Sequence, residues 1–260
     1  MSSALESALR RDRAIVLAGL AALVVVAWLY LVRLAGEMVE MERHTAMGMA
    51  MPQMRPWGAL DLLLLFAMWV VMMVAMMTPS ASPMILMFSA IDRRRAERQG
   101  PAVRTGIFVL GYLLAWTGYS AVAAAAQWVL HGLALVSPMM VSTSPYLGGG
   151  LLMAAGVFQW TPLKRACLVA CRSPVGFIMT EWRDGPMGAM IMGLRHGMFC
   201  VGCCWVLMAL LFVAGVMNLL WVAALAAFVL VEKVVPGGER VRLVAGVALV
   251  LAGGALMLRA

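Results

Sequence analysis

The sequence predicts an all-α, polytopic transmembrane helical bundle of about seven spans, with the N-terminus cytoplasmic and the C-terminus periplasmic. Three observations predict it. Hydrophobic residues make up 64% of the 260-residue chain and charged residues only 12%, against roughly half and a quarter in soluble domains. The apolar residues come in long runs, and backbone in hydrocarbon must pair its own N–H and C=O groups, so such runs must be helices. Basic residues collect at the N-terminus and in every second connection, as expected for cytoplasmic segments.

Arg10, Arg11 and Arg13 precede the first apolar run, 14–34. It is long for a signal-peptide core and lacks a clear small-residue cleavage site, so a retained span is expected. A polar, Met-rich external loop, 36–57, follows. The second span, 58–90, carries Pro79 and Pro83, where a kink is expected. The connection after it holds Arg93, Arg94, Arg95, Arg98 and Arg104. The third span is 105–131, and the loop 132–145 has no Lys or Arg. The fourth, 146–163, has room to continue as helix through Cys171, with Lys164, Arg165, Arg172 and Arg183 behind it. The remaining spans are 187–214, 217–235 and 241–258, with Lys233, Arg240 and Arg242 between the last two. Arg33, Arg43 and Arg55 break the charge pattern mildly in the first external loop, where Glu37, Glu40 and Glu42 accompany them. The connections are short and no repeat is visible, so residues 1–260 read as one membrane domain in a bacterial inner membrane.

The formal charge of +8 lies between apolar runs. It encodes orientation rather than a nucleic-acid surface, and no nucleic-acid-binding motif accompanies it. Five cysteines, clustered, do not make a disulfide scaffold. The anomaly is 25 methionines, since Met normally fills occasional gaps in a core.

Sulfur and imidazole fall into four groups. In the fifth span Met192, His196, Cys200, Cys204 and Met208 recur every four residues. The stripe is about 24 Å long and lies on one helix face. Cys203 sits beside it, so two or three thiols and an imidazole can converge on one ion. In the second span Met68, Met72 and Met76 form a stripe, Met73 and Met77 an adjoining one, and Met84 and Met87 lie past the prolines. Cys167 and Cys171 are four apart amid Lys164, Arg165 and Arg172, a setting expected to favour thiolate. His44, Met47, Met49, Met51 and Met54 crowd the first external loop.

Thioether and thiolate select Cu(I). One Cu(I) with one thiolate is neutral, which lowers the desolvation penalty of an ion in hydrocarbon. Zinc is the alternative cargo. It needs two thiolates for the same cancellation, and the three thiols near Cys200 can supply them. Packing alone is the leading account of the Met stripe in the second span, an inert buried thiol accounts equally for Cys167 and Cys171, and a metal role leads for Cys200, Cys203 and Cys204. His196 and Arg195 inside a span point to function, because intramembrane ionisable residues are expensive. Asp61, Gln127, Gln159, Asn218 and Glu232 suit interhelical hydrogen bonds; Glu232 and Lys233 are expected to snorkel to the interface. Gly148, Gly149 and Gly150 suit close helix packing or a flexible helix start, and Trp28, Trp57, Trp128, Trp160, Trp182 and Trp221 suit interfacial belts, with core positions the alternative for some.

Several stretches carry a family resemblance. They are Met72-Met73-Val74-Ala75-Met76-Met77-Thr78-Pro79-Ser80, Cys167 with Cys171-Arg172-Ser173-Pro174, Gly197-Met198-Phe199-Cys200-Val201-Gly202-Cys203-Cys204-Trp205, and Glu232-Lys233. Together they resemble a bacterial family of predicted metal-binding integral membrane proteins of unknown function. The resemblance implies metal binding, copper by association, and no mechanism.

The leading expectation is Cu(I) binding and transport. The ion would be collected by the external loop, passed along Met68, Met72 and Met76 to Cys200, Cys203, Cys204 and His196, and released to Cys167 and Cys171. The ligand set does not fix the direction. A membrane copper chaperone or cuproprotein assembly factor without conduction is the second reading. A thiol oxidoreductase is the third, and no catalytic residue or organic cofactor is assigned. The implied partners are the lipid bilayer, the metal ion and a cuproprotein or copper-chaperone acceptor, with no nucleic acid. Assembly into a homo-oligomer stays open.

Overall fold

The computed structural model describes residues 3–46, 58–95, 101–133 and 144–259. Regular structure among them is helical throughout: α1 (Ser3–Ala46), α2 (Ala59–Arg95), α3 (Pro101–Gly132), α4 (Pro145–Phe158), α5 (Pro162–Arg172), α6 (Pro174–Glu181), α7 (Gly185–Ala209), α8 (Leu211–Ala214), α9 (Leu219–Val234) and α10 (Gly238–Leu258). Among the described residues five stretches are long and apolar enough to cross a membrane: Arg10–Glu40, Ala59–Arg95, Val103–Gly132, Gly185–Ala214 and Gly238–Leu258. The chain is a membrane protein by this measure.

The expected boundaries shift in two places. Helix α1 continues to Ala46, so 36–46 is helix rather than loop. Glu37 to Arg43 contains no Pro or Gly and mostly good helix formers. The expected fourth span breaks at Gln159, leaving α4 with 14 residues, about 21 Å of rise, short of a hydrocarbon core of about 30 Å. The break is local chemistry. Thr161 is extended (φ −69°, ψ 146°), its hydroxyl accepts from the Lys164 N–H, and Pro162 follows at the first helical position. The same device restarts the chain at Ser173–Pro174, where Ser173 caps α6. Helix α9, at 16 residues, is also shorter than a full span, and Asn218 caps its start.

Helix α2 runs unbroken through Pro79 and Pro83. Pro83 has no N–H for the Pro79 carbonyl, and the Ser82 hydroxyl donates to that carbonyl at 2.8 Å instead. The Ser80 hydroxyl donates to the Met77 carbonyl at 2.9 Å.

Helix α3 is the hub, packed on both α2 and α7, while α1 covers α2, α5 lies on α7, α9 reaches α2, and α4 pairs with α10. The α3–α7 contact depends on missing side chains. A Cβ at Gly197 would lie 2.6 Å from the Ala115 Cβ and 2.9 Å from the Tyr112 carbonyl oxygen. Small residues let membrane helices approach this closely. The expected glycine packing of α4 also holds: a Cβ at Gly149 would meet the Gly253 carbonyl at 2.8 Å. The buried core gathers Met68, Trp69, Met72, Met76, Phe88, Phe108, Tyr112, Trp116 and the α7 face from Met192 to Met208.

Candidate metal centre

The α7 stripe faces inward along its whole length. Met192, His196, Cys200, Cys204 and Met208 are all buried, as is Cys203. Turning this face to the protein leaves Leu194, Met198 and Trp205 exposed on the other side. The α2 methionines Met68, Met72, Met73, Met76 and Met77 are buried as well.

Four thiols meet across α5 and α7. Cys171 lies close enough to hydrogen-bond with the Cys200 and Cys203 thiols. The Cys204 thiol is within the same reach of both. Cys203 Sγ and Cys204 Sγ also donate to the Cys200 carbonyl, at 3.1 and 2.9 Å. All five cysteines are free thiols. Among the described residues no three His, Cys, Asp or Glu side chains surround a common point as in a formed metal centre. The sulfurs are paired with one another and with backbone.

Cys167 sits at the edge of this group. It is half-buried, and a Cβ at Gly202 would lie 2.8 Å from its sulfur. The glycine of the Cys200-Val201-Gly202-Cys203 stretch therefore makes the room that brings Cys167 onto α7. The expectation that basic neighbours favour thiolate at Cys167 and Cys171 is overturned. Burial, with Cys203 nearby, pushes the Cys167 thiol up from its ordinary value of 9.0. Hydrogen bonds with Cys200 and Cys203, then burial, push Cys171 up as well. The neighbouring cations are spent elsewhere: Lys164 on Glu232, and Arg172 on the Val235 carbonyl at 3.0 Å.

His196 stands one turn before Cys200, boxed by aromatic rings. The centroids of Tyr112 and Phe108 are 5.7 and 6.2 Å away, stacked, and Phe177 is edge-on at 5.5 Å. Its Nδ1 is buried and has no hydrogen-bond partner. Arg195 pairs with Glu181. Met192 lies at the far end of the stripe, where its sulfur accepts the Arg183 N–H at 3.3 Å.

Helices α2 and α7 are linked through α3 and α9. The Tyr112 hydroxyl donates to the Met77 carbonyl at 3.0 Å and lies 3.1 Å from Cys200 Sγ. Lys233 Nζ donates to Cys200 Sγ at 2.8 Å and to Ser80 Oγ at 3.2 Å. The expectation that Glu232 and Lys233 snorkel to the interface is overturned too. Glu232 is fully buried and Lys233 is 7% exposed. Glu232 meets the equally buried Lys164 at 2.8 Å. These partners give both side chains reason to stay inside. Tyr112, Ser80 and Lys233 were absent from the sequence-derived ligand set. The Glu232-Lys233 pair, which ends a run free of Asp, Glu, Lys and Arg from His196 to Val231, was the available signal, since such residues default to function.

The remaining candidates stand apart. His44 is exposed on the last turn of α1. Met47, Met49, Met51 and Met54 lie outside the described residues. Of the polar span residues, Gln127 accepts the Trp69 indole N–H at 2.6 Å. Asp61 accepts the Gly58 N–H at 2.8 Å. The buried Gln159 amide atoms have no hydrogen-bond partner.

The donor set that does assemble is soft: thiols, with thioethers one helix away. No curated protein and no solved structure matches the chain. A family profile described as PpoB2, copper chaperone, matches residues 66–256, most of the chain, and the protein belongs to that family.

Proposed function

We propose that the protein is a Cu(I) chaperone of the bacterial inner membrane, holding the ion on Cys200, Cys203 and Cys204 and exchanging it with an acceptor through Cys171 and Cys167. One observation carries this reading: a buried thiol group on α7 meets Cys171 of the thiol pair on α5, a helix whose Arg165 and Ala166 are exposed on the outside of the bundle. Two- and three-coordinate sulfur sites pass a Cu(I) ion ligand by ligand. Soft donors select Cu(I) over Mg²⁺ and Ca²⁺. Zinc, which requires two thiolates for charge balance, is the competitor to test.

The α5 end is assigned to the cytoplasm. Basic residues cluster there and at the N-terminus, and Arg93 at the end of α2 pairs with Asp12 near the start of α1, which puts these two ends on one side. Seven membrane passages require α4 and α9 to serve as short crossings where the bilayer thins locally. His44 and the methionines after it are proposed to collect ions on the opposite side.

The test is anaerobic titration of purified protein with Cu(I) against a colorimetric chelator, followed by transfer to a cuproprotein domain. Wild type is expected to bind and release. Cys200→Ser is expected to lose binding, and Cys171→Ser to bind but release slowly. Equal behaviour of all three refutes the reading. Conduction is a second reading, favoured by the buried α2 methionines, which extend soft donors beyond the thiols. Copper uptake into proteoliposomes decides it: Met72→Leu/Met76→Leu is expected to slow uptake without abolishing binding at Cys200.

A further inference from the structure

The Cys200 sulfur already has a cation against it. Lys233 Nζ lies 2.8 Å from Cys200 Sγ, inside the helix bundle. Its other hydrogen-bond partner is the neutral Ser80 hydroxyl at 3.2 Å. The nearest acid in sequence, Glu232, is committed to Lys164 at 2.8 Å. The titratable groups within electrostatic reach of the ammonium are Cys200, Cys203, Cys204 and Cys171, together with His196, Glu232 and Tyr112, whose hydroxyl lies 3.1 Å from Cys200 Sγ. A buried cation needs an opposite charge, and sulfur is what this surrounding offers.

We propose that Lys233 is a tethered monocation competing with the metal for the Cys200 sulfur: Cu(I) binds by displacing the ammonium, which keeps its charge inside the bundle beside the ion. The proposal deepens the copper reading and rests on it. The ammonium moves off sulfur while keeping Ser80, whose own proton is spent on the Met77 carbonyl and whose lone pairs therefore stay available. The lysine stem is flexible enough for such a swing. Copper–sulfur bonds form, any Cys203 or Cys204 thiol that joins Cys200 on the ion gives its proton to solvent, and copper stays in its +1 state. Two consequences follow from Coulomb's law. The ammonium weakens metal binding and so favours hand-over, and its repulsion of a dication is twice that of a monocation at equal distance. Lys233 is thus a specificity-determining group for a monovalent soft ion.

The experiment is chelator-competition titration of the full chain in detergent, under reducing anaerobic conditions, with Cu(I) and with Zn(II). Lys233→Met keeps the length and removes the charge. It is expected to tighten Cu(I) binding about tenfold or more and Zn(II) binding by a larger factor. Lys233→Arg is expected to stay nearer wild type for both ions. Lost or unchanged Cu(I) affinity in folded Lys233→Met overturns the proposal, because a merely structural lysine would give that result. Equal gains for both ions overturn the selectivity it asserts. Should Lys233→Met fail to fold, Ser80→Ala serves: loss of the retained partner is expected to weaken Cu(I) binding, and unchanged binding overturns the proposal. A wild type that binds no Cu(I) is a different failure, since it removes the copper reading itself.

Discussion

Removing Lys164 alone should be among the most damaging single changes outside the sulfur group. Lys164 and Glu232 are both fully buried, with Nζ 2.8 Å from one carboxylate oxygen and 2.9 Å from the other. Breaking such a pair from one side strands the other charge and costs about 3–5 kcal/mol. At about 2–4 °C per kcal/mol for a chain of this size, Lys164→Met should lower the melting temperature by roughly 6–20 °C. Removing both charges is different: a buried pair replaced by apolar residues is often close to neutral. Lys164→Met/Glu232→Leu should therefore recover most of the loss. The assay is thermal unfolding in detergent, followed by tryptophan fluorescence, for the full double-mutant cycle. A single mutant that melts with wild type, or a double mutant as unstable as the sum of the singles, refutes the reasoning. The consequence reaches the thiol group, because the pair clamps α9 to α5 and so fixes Lys233 and Cys171 relative to α7.

Other outcomes follow from the same geometry. Gly197→Ala puts a methyl 2.6 Å from the Ala115 Cβ; this overpacking should cost about 1–3 kcal/mol and, by lifting Tyr112 from Cys200, weaken Cu(I) binding in the chelator titration. Tyr112→Phe removes the hydroxyl 3.1 Å from Cys200 Sγ and should reduce Cu(I) affinity about 10–100-fold, the usual effect of losing a group that orients a ligand. Gln127→Leu leaves the buried Trp69 indole N–H without its 2.6 Å acceptor and should destabilise by about 1–3 kcal/mol in the same melting assay. Because burial holds the Cys167 thiol above its ordinary 9.0, the neutral form predominates at pH 7. Its alkylation by iodoacetamide, read by mass spectrometry, should be slow there and accelerate only above pH 9; rapid labelling at pH 7 would contradict the assignment.

Much of the helical pattern was legible because the apolar runs are long and a membrane admits few alternatives. The inward face of α7 was legible for a related reason: Met192, His196, Cys200, Cys204 and Met208 repeat every four residues, and the helix keeps that period as one buried face. Hydropathy hid the chain breaks, because it averages over Thr161–Pro162 and Ser173–Pro174, where a capping hydroxyl and a proline restart the helix. Reading those pairs as caps would have divided the expected fourth span correctly. The thiolate expectation for Cys167 and Cys171 failed because nearness in sequence to Lys164 and Arg172 says nothing of where those cations point. Both are spent on α9 and its end, at Glu232 and Val235. Lys233 was misplaced for the same reason. Its partners, Ser80 and Cys200, lie 153 and 33 residues away, and only the packing of α9 beside α2 and α7 brings them together.

The most direct measurement is copper X-ray absorption on protein purified anaerobically after Cu(I) loading. The account predicts Cu(I) in amounts matching the chain, surrounded by sulfur, and lost from Cys200→Ser/Cys203→Ser/Cys204→Ser while the variant still folds. Copper retained undiminished by that triple variant, or a shell of nitrogen and oxygen alone, would contradict it.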